Sequence, residues 1–188
     1  MANRPYVCGY DFGTLSCRIT VSDRSTGETV YEAGVDYPHG VISKQLPESD
    51  VVLGLDWALQ DPEDYLEVMT QLTRMALEKV APEEIAAIGT DFPNCTVVAL
   101  GADGRPLCMQ EKFRQTPHAW PKLWKHHAAQ PYAKRIEEIL TAENVDWFPL
   151  YGRNVSSEWL FPKVLQVYEE APEVYAAAGT FLEAADYI

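Results

Sequence analysis

The sequence predicts one α/β domain in which a β-meander precedes alternating strands and helices. The chain has 188 residues, which is enough for one domain with a sizeable core. Three β-prone segments at the spacing of an antiparallel meander occupy its N-terminal part. Beyond them, segments with a 3.6-residue apolar period alternate with short β-prone segments. No repeat, low-complexity tract or linker composition divides the chain, so we expect a single α/β unit.

The first half of the chain contains most of the expected strands. The predicted strands are Tyr6–Tyr10, Ile19–Ser22, Glu28–Asp36, a buried Ile85–Asp91, Cys95–Leu100 and Pro106–Gln110. A long loop is expected over residues 37–60. Asp61 and Pro62 have the side chains of an N-cap and a first helical position, so a helix is expected from there to about Val80.

The second half is predicted to be mainly helical. Thr116 is expected to cap a helix that reaches Gln130 and carries Trp120 and Trp124 on one face. The later expected elements are a helix over Tyr132–Asn144, a helix from Ser156, a short helix from Ala171 to about Gly179, and a small strand or turn over Phe181–Ala184.

Charge and cysteine usage exclude several classes of protein. The net charge of -13 argues against a nucleic-acid surface, which requires a basic patch. No 18-residue apolar run exists, so no membrane span is expected, and the N-terminus does not resemble a signal peptide. The four cysteines form no Cys-x-x-Cys pair, so we expect reduced thiols in a cytoplasmic protein. Adjacent His126 and His127 would point in different directions on a helix and make a poor metal chelate.

The turn between the first two expected strands has the residue types of a phosphate site. Backbone N–H groups and hydroxyls of such a turn can bind phosphate oxygens. Asp11, at the end of a strand, can hold magnesium through water, and Arg18 can reach a phosphate oxygen. The alternative is an ordinary hairpin that needs Gly13 for its turn, with Asp11 accepting local N–H bonds.

Two further positions suit a ligand rich in hydroxyl groups. Pro93 interrupts the strand pattern, because it cannot donate to a ladder, and leaves the Asn94 amide on irregular backbone. Trp120 and Trp124, one turn apart on the expected helix, can stack on a sugar and donate their indole N–H groups to its oxygens. The alternatives are that Asn94 stabilises its own turn and that both Trp120 and Trp124 are core residues.

Several motifs resemble those of the FGGY carbohydrate kinases, and within that family the ribulokinase branch. The first is Asp11-Phe12-Gly13-Thr14-Leu15-Ser16 followed by Arg18. The others are Pro117–Gln130, Ile88–Phe92 with Cys95-Thr96, Ser156–Trp159 and Phe181–Ile188. The resemblance implies the N-terminal domain of a ribonuclease H/actin-like ATPase fold, with a mixed sheet flanked by helices. It also implies ATP-dependent phosphorylation of a ketose, in this branch L-ribulose to L-ribulose 5-phosphate, as in L-arabinose catabolism.

The resemblance also implies roles for individual residues. Those along the ATP phosphates would be Asp11, Gly13, Thr14, Ser16 and Arg18, with Asp11 also organising Mg²⁺ indirectly. Those at the sugar would be Asn94, Trp124 and Glu158. The family's catalytic base and its C-terminal ATP-binding domain follow in later segments. We therefore expect residues 1–188 to be an incomplete N-terminal, sugar-binding domain that is inactive alone, from an enzyme that forms a homodimer at full length.

The sequence departs from the family pattern at Pro93-Asn94, where a threonine and a small residue are expected. A larger amide at the sugar wall changes which ketose fits. The alternatives are therefore a kinase for another ketose or polyol, such as xylulose, D-ribulose or glycerol, and a non-catalytic sugar-binding module.

Overall fold

The computed structural model describes residues 4–188, and the chain divides into two compact units. The first unit runs up to Val41 and from Asp61 to Pro93, and includes Ile188. The second consists of Ile42–Gln60 and Asn94–Tyr187. Among the described residues, no helix combines the length and the apolar character that crossing a bilayer requires.

The first unit contains a four-stranded mixed sheet. Its strands are β1 (Tyr6–Phe12), β2 (Ser16–Asp23), β3 (Thr29–Asp36) and β4 (Ile85–Asp91), in the spatial order β3-β2-β1-β4. The first three strands form the predicted antiparallel meander, and β4 lies parallel to β1. A 3₁₀ turn at Pro82–Glu84 leads into β4.

One helix, α1 (Pro62–Leu77), packs against β2 and β3. Alternate residues of β1 and β2 point into this core, which is the period-2 pattern expected of a sheet covered on one face. The helix contributes four fully or almost fully buried apolar residues, Tyr65, Val68, Leu72 and Ala76. The Asp61 side chain accepts the Glu63 N–H at 3.0 Å, so the predicted N-cap is confirmed, although the helix ends three residues before Val80.

Strand β4 lies where predicted, but the expectation that it is buried is wrong. Residues from Ala87 to Asp91 are exposed, and the Ile88 side chain is 60% exposed. The reason lies in the packing of the sheet, because α1 packs on β2 and β3, whereas β4 pairs with β1 at the other side. An apolar sequence run therefore predicted the strand but could not predict which strands the helix covers.

The second unit combines a two-stranded sheet with four helices. Antiparallel β5 (Val97–Leu100) and β6 (Thr180–Glu183) form the sheet. The helices are α2 (Gln130–Ala142), α3 (Leu160–Glu170), α4 (Pro172–Ala177) and α5 (Ala184–Tyr187). A core around Leu59, Ala99, Leu107, Trp120 and Val167 joins the loop over residues 42–60 to these elements. Further 3₁₀ turns lie at Leu107–Met109, Glu111–Phe113, Pro117–Ala119 and Phe148–Tyr151.

Two expectations in this unit are wrong. Pro106–Gln110 is not a strand, since only Pro106 bridges to Leu100 and a 3₁₀ turn follows. The helix expected over Thr116–Gln130 is reduced to the 3₁₀ turn at Pro117–Ala119. At Lys122 the backbone is extended, because this residue forms bridges with both Val97 and Leu59. These backbone hydrogen bonds replace those of a helix, to which Pro121 could not contribute because it has no backbone N–H.

Candidate active site

The hairpin between β1 and β2 holds all five predicted phosphate residues. The Gly13 N–H donates to the Ser16 carbonyl at 2.8 Å and closes the turn. A Cβ atom on Gly13 would lie 3.1 Å from that same carbonyl oxygen, so the close approach of the backbone favours glycine. Thr14 and Ser16 are half-buried at this turn. The structure therefore presents a backbone turn and two hydroxyls at one end of the sheet.

Asp11 and Arg18 lie directly opposite each other in the β1–β2 register. The Arg18 Nη2 and Asp11 Oδ2 atoms are 3.4 Å apart, and the two side chains are 61% and 53% exposed. An ion pair this exposed contributes little to stability, because water screens both charges. Both groups are therefore accessible to a ligand on the uncovered face of the sheet.

A second carboxylate beside Asp11 was missed by the sequence analysis. In the parallel register of β1 and β4, Asp91 is the partner of Asp11. Both line a shallow depression of the open face together with Gly9, Thr20 and Gly89. A Cβ atom on Gly9 or Gly89 would meet nothing within 4 Å, so the space above these strands is open. The signal in the sequence was an aspartate at or next to the end of each of two strands, since the carboxyl ends of parallel strands meet at one edge.

The residues of this depression fit a divalent cation with bound phosphate. Carboxylate oxygens are hard ligands, which Mg²⁺ prefers, and it is commonly held by one or two carboxylates plus substrate phosphates. Asp11 and Asp91 supply two such groups on an accessible surface, and Arg18 supplies a cationic donor beside them.

The predicted sugar residues all belong to the second unit. Asn94 is exposed in the turn that precedes β5, and the next residue, Cys95, has a left-handed φ of 70°. Non-glycine residues adopt this conformation at a cost, so surrounding contacts must hold it. The Ala184 N–H donates to the Thr96 carbonyl at 2.7 Å, and burial raises the pKa of the Glu183 carboxylate that precedes it in the chain.

Trp124 and Glu158 lie on segments that the structure ties to this turn. The Trp124 side chain is 36% exposed and follows the fully buried Leu123. Val97 and Lys122 exchange two backbone hydrogen bonds of 2.9 Å, which place the Trp124 segment beside the Asn94 segment. The half-buried Glu158 is close enough for its charge to contribute, after burial and the charge of Glu183, to the raised pKa of the Cys95 thiol. Contacts within the second unit therefore connect the segments that carry Asn94, Trp124 and Glu158.

A buried polar cluster underlies the Trp124 segment. The Lys122 ammonium lies 4.3 Å from the centre of the Trp57 ring, and the His118 and His126 rings lie nearly perpendicular to that ring, each with its centre 4.9 Å away. Burial lowers the pKa of Lys122 to about 7 and that of His126 to about 2. His126 Nδ1 accepts the Ala58 N–H, and Nε2 faces Gln166 Oε1 at 3.0 Å, so the neutral ring is satisfied on both sides.

Comparison with solved structures defines the fold class. A xyloylose kinase from Brucella ovis superposes with a TM-score of 0.73 at 19% identity, covering 97% of this chain and 33% of that protein. A gluconate kinase from Lactobacillus acidophilus gives a TM-score of 0.74 at 18% identity, covering 97% and 32%. The ribonuclease H/actin-like ATPase fold, with its mixed sheet flanked by helices, is confirmed.

Comparison with curated proteins narrows the class of kinase to one branch of the family. A ribulokinase from Geobacillus thermodenitrificans is 43% identical over 187 residues, covering 98% of this chain and 33% of its own length. Ribulokinases from Bacillus licheniformis and Mycolicibacterium smegmatis are 46% and 45% identical over 176 and 186 residues. The chain spans about a third of the length of these relatives. No family model matches the chain. The resemblance to FGGY carbohydrate kinases, nearest to ribulokinases, is confirmed over nearly all of this chain.

Proposed function

We propose that the protein containing this chain is an ATP-dependent carbohydrate kinase that converts L-ribulose into L-ribulose 5-phosphate. The observation that carries the proposal is the similarity to ribulokinases, at 41–46% identity in the first four, over 93–98% of the chain. The hairpin with Asp11, Gly13 and Arg18 supports it, because its accessible charges and turn suit a polyphosphate.

In this proposal the first unit binds the ATP phosphates. Thr14 and Ser16 place two half-buried hydroxyl groups at the Gly13–Ser16 turn, and Arg18 offers a charge-assisted donor. Asp11 and Asp91 would hold Mg²⁺, Asp11 through water, and bound Mg²⁺ neutralises developing charge on the phosphates. Phosphoryl transfer depends on such positioning and charge neutralisation more than on covalent help from the protein.

The second unit binds the sugar in this proposal. Trp124 offers a partly exposed indole ring, the Asn94 amide offers a donor and an acceptor, and Glu158 offers a carboxylate. These groups match the alternating apolar and hydroxyl surfaces of a ketose. Polar groups of this kind discriminate between substrates, because an analogue that lacks a hydroxyl leaves them without a hydrogen-bond partner.

The catalytic base and the adenosine-binding domain are proposed to lie outside residues 1–188. The support is that the matched ribulokinases are about three times as long as the matched region. We therefore expect residues 1–188 alone, as an incomplete N-terminal domain, to transfer no phosphate. A cytoplasmic location, a homodimer at full length, and the absence of nucleic-acid and membrane binding remain predictions.

The test is ketose phosphorylation by the full-length protein that contains this chain. With ATP and Mg²⁺, we expect L-ribulose to be phosphorylated, and we expect ADP release to require the sugar. Lys134→Met, a change of an exposed residue on α2, is the matched control and should behave as the unchanged protein. Failure to phosphorylate any ketose or polyol would contradict the proposal and favour a non-catalytic sugar-binding module.

Asn94 favours a second candidate, a kinase for another ketose or polyol. Its exposed amide replaces the small residue expected at this position, and the left-handed Cys95 fixes the turn that carries it. A panel of L-ribulose, D-ribulose, xylulose and glycerol separates the two. A higher kcat/KM for any of the last three would replace L-ribulose as the substrate.

A further inference from the structure

Lys163, on the first turn of α3, is a fully buried lysine that no role above requires. Its ammonium donates to the Cys95 carbonyl, to the Leu123 carbonyl at 2.9 Å and to the Lys122 carbonyl at 3.5 Å. An ammonium has three donors and no acceptor, so three carbonyls satisfy it completely. Every bond therefore goes to backbone of the two segments that carry predicted sugar residues.

The position of these carbonyls in the chain is informative. Cys95 directly follows Asn94, and Leu123 directly precedes Trp124. One nitrogen atom thus fixes the backbone next to both residues, which are otherwise joined by the paired Val97 and Lys122. A shift of either carbonyl would move the neighbouring side chain by a similar distance.

The Asn94 turn is held from its other side by Glu183 on β6. Glu183 pairs with Val97 and the neighbouring Ala184 N–H donates to the Thr96 carbonyl at 2.7 Å, while Lys163 donates to the carbonyl of Cys95. Together they stabilise the left-handed conformation of Cys95, which has no side-chain preference for it. The negative charges that face Lys163 are those of Glu183 and Glu158, and the positive one is that of Lys122.

We propose that Lys163 is a positioning residue for sugar recognition, which sets the separation and orientation of Asn94 and Trp124 through the carbonyls of Cys95 and Leu123. This inference rests on the proposed function, because it assigns Lys163 to the same sugar site. Retaining a buried ammonium is costly, since an apolar side chain of similar volume often gives equal or greater stability. A role in fixing geometry explains why a charged group occupies this position.

The test compares Lys163→Met with the control Lys134→Met in the full-length protein. Methionine keeps the length of the side chain but removes every donor. We expect the KM for the preferred sugar to rise about tenfold or more, with the KM for ATP within about twofold of the unchanged protein. A merely structural role would lower the active fraction and leave the sugar KM of the folded enzyme unaltered, which would overturn the proposal.

Lys163→Arg keeps the test decisive if the methionine variant does not fold. A planar guanidinium retains the charge but cannot place one nitrogen against the same two carbonyls. We expect a sugar KM raised several-fold, between those of the unchanged protein and Lys163→Met. A wild-type sugar KM in Lys163→Arg would overturn the positioning role.

A measurement without sugar separates this inference from the proposed function. In whichever Lys163 variant folds, the amide hydrogens of Val97 and Lys122 should exchange about tenfold faster than in Lys134→Met, because the pairing they form opens more often. Unchanged exchange overturns the role of Lys163. If the unchanged protein phosphorylates no sugar but this exchange still accelerates, the proposed function fails while the anchoring of both segments by Lys163 stands.

Discussion

Acid should destabilise this protein through His126, which lies two residues after Trp124. The ring is fully buried, accepts the Ala58 N–H at 3.3 Å and is 3.0 Å from the Gln166 side-chain oxygen. Burial, and next the charge of Lys122, lower its pKa from 6.5 to about 2. Between these values the unfolded chain binds a proton that the folded chain does not, so stability must fall as the pH falls.

The magnitude follows from this difference in proton binding. Each pH unit below 6.5 costs about 1.4 kcal/mol of unfolding free energy for one such histidine. Between pH 7.5 and pH 4.5 the loss attributable to His126 is therefore about 3 kcal/mol, because 4.5 lies two units below the unfolded pKa and above the folded one. Replacement by glutamine, which cannot titrate but keeps a donor and an acceptor, should remove this part of the pH dependence.

Urea unfolding at pH 7.5, 5.5 and 4.5 measures this effect. Over that range, His126→Gln should lose about 3 kcal/mol less than the unchanged protein, since all other titrating groups are common to both. His127→Gln, a change of the exposed neighbouring histidine, is the matched control and should show the wild-type dependence. Parallel curves for His126→Gln and the unchanged protein would refute a neutral buried His126.

Three further substitutions test the two units. Asp11→Asn should lower kinase activity about 100-fold. It should change the unfolding free energy by less than about 1 kcal/mol, because the ion pair of Asp11 with Arg18 is exposed. A large loss of stability in urea would contradict the interpretation of Asp11 as an accessible ligand group. Trp124→Ala should raise the sugar KM about tenfold with the ATP KM unchanged, and an unaltered sugar KM would remove Trp124 from the sugar site. Leu72→Ala should lower the unfolding free energy by about 2–5 kcal/mol, whereas Leu77→Ala, on the exposed side of the same helix, should lower it by less than about 1 kcal/mol. Equal losses of stability in thermal unfolding would contradict the packing of α1.

Local patterns predicted the first unit well. The alternation of apolar residues in Tyr6–Phe12, the cap at Asp61 and the period of α1 are each encoded within a few residues of sequence. The β1–β2 hairpin was predictable for the same reason, because the five residues proposed to contact phosphate lie within positions 11–18 of the sequence. The exposure of β4 was not, since it depends on which strands α1 covers.

Long-range backbone contacts explain what the sequence could not predict in the second unit. Trp120, Leu123 and Trp124 have helical spacing, but Lys122 exchanges backbone hydrogen bonds with Val97, and its neighbours Pro121 and Leu123 bond to Gln60 and Ala58. Lys163 lies within an apolar helical pattern that gives no sign of its role. Its acceptors on Cys95 and Leu123 are 68 and 40 residues away, so only the folded chain reveals them.

The most direct measurement is the specificity constant of the full-length protein for L-ribulose against D-ribulose, xylulose and glycerol, with ATP and Mg²⁺ present. We expect L-ribulose to give the largest kcat/KM and L-ribulose 5-phosphate as the product. A larger kcat/KM for another member of the panel would make that sugar the assigned substrate. The exposed amide of Asn94 would then account for the change of substrate. No phosphorylated product from any of the four would contradict a sugar kinase built on this chain.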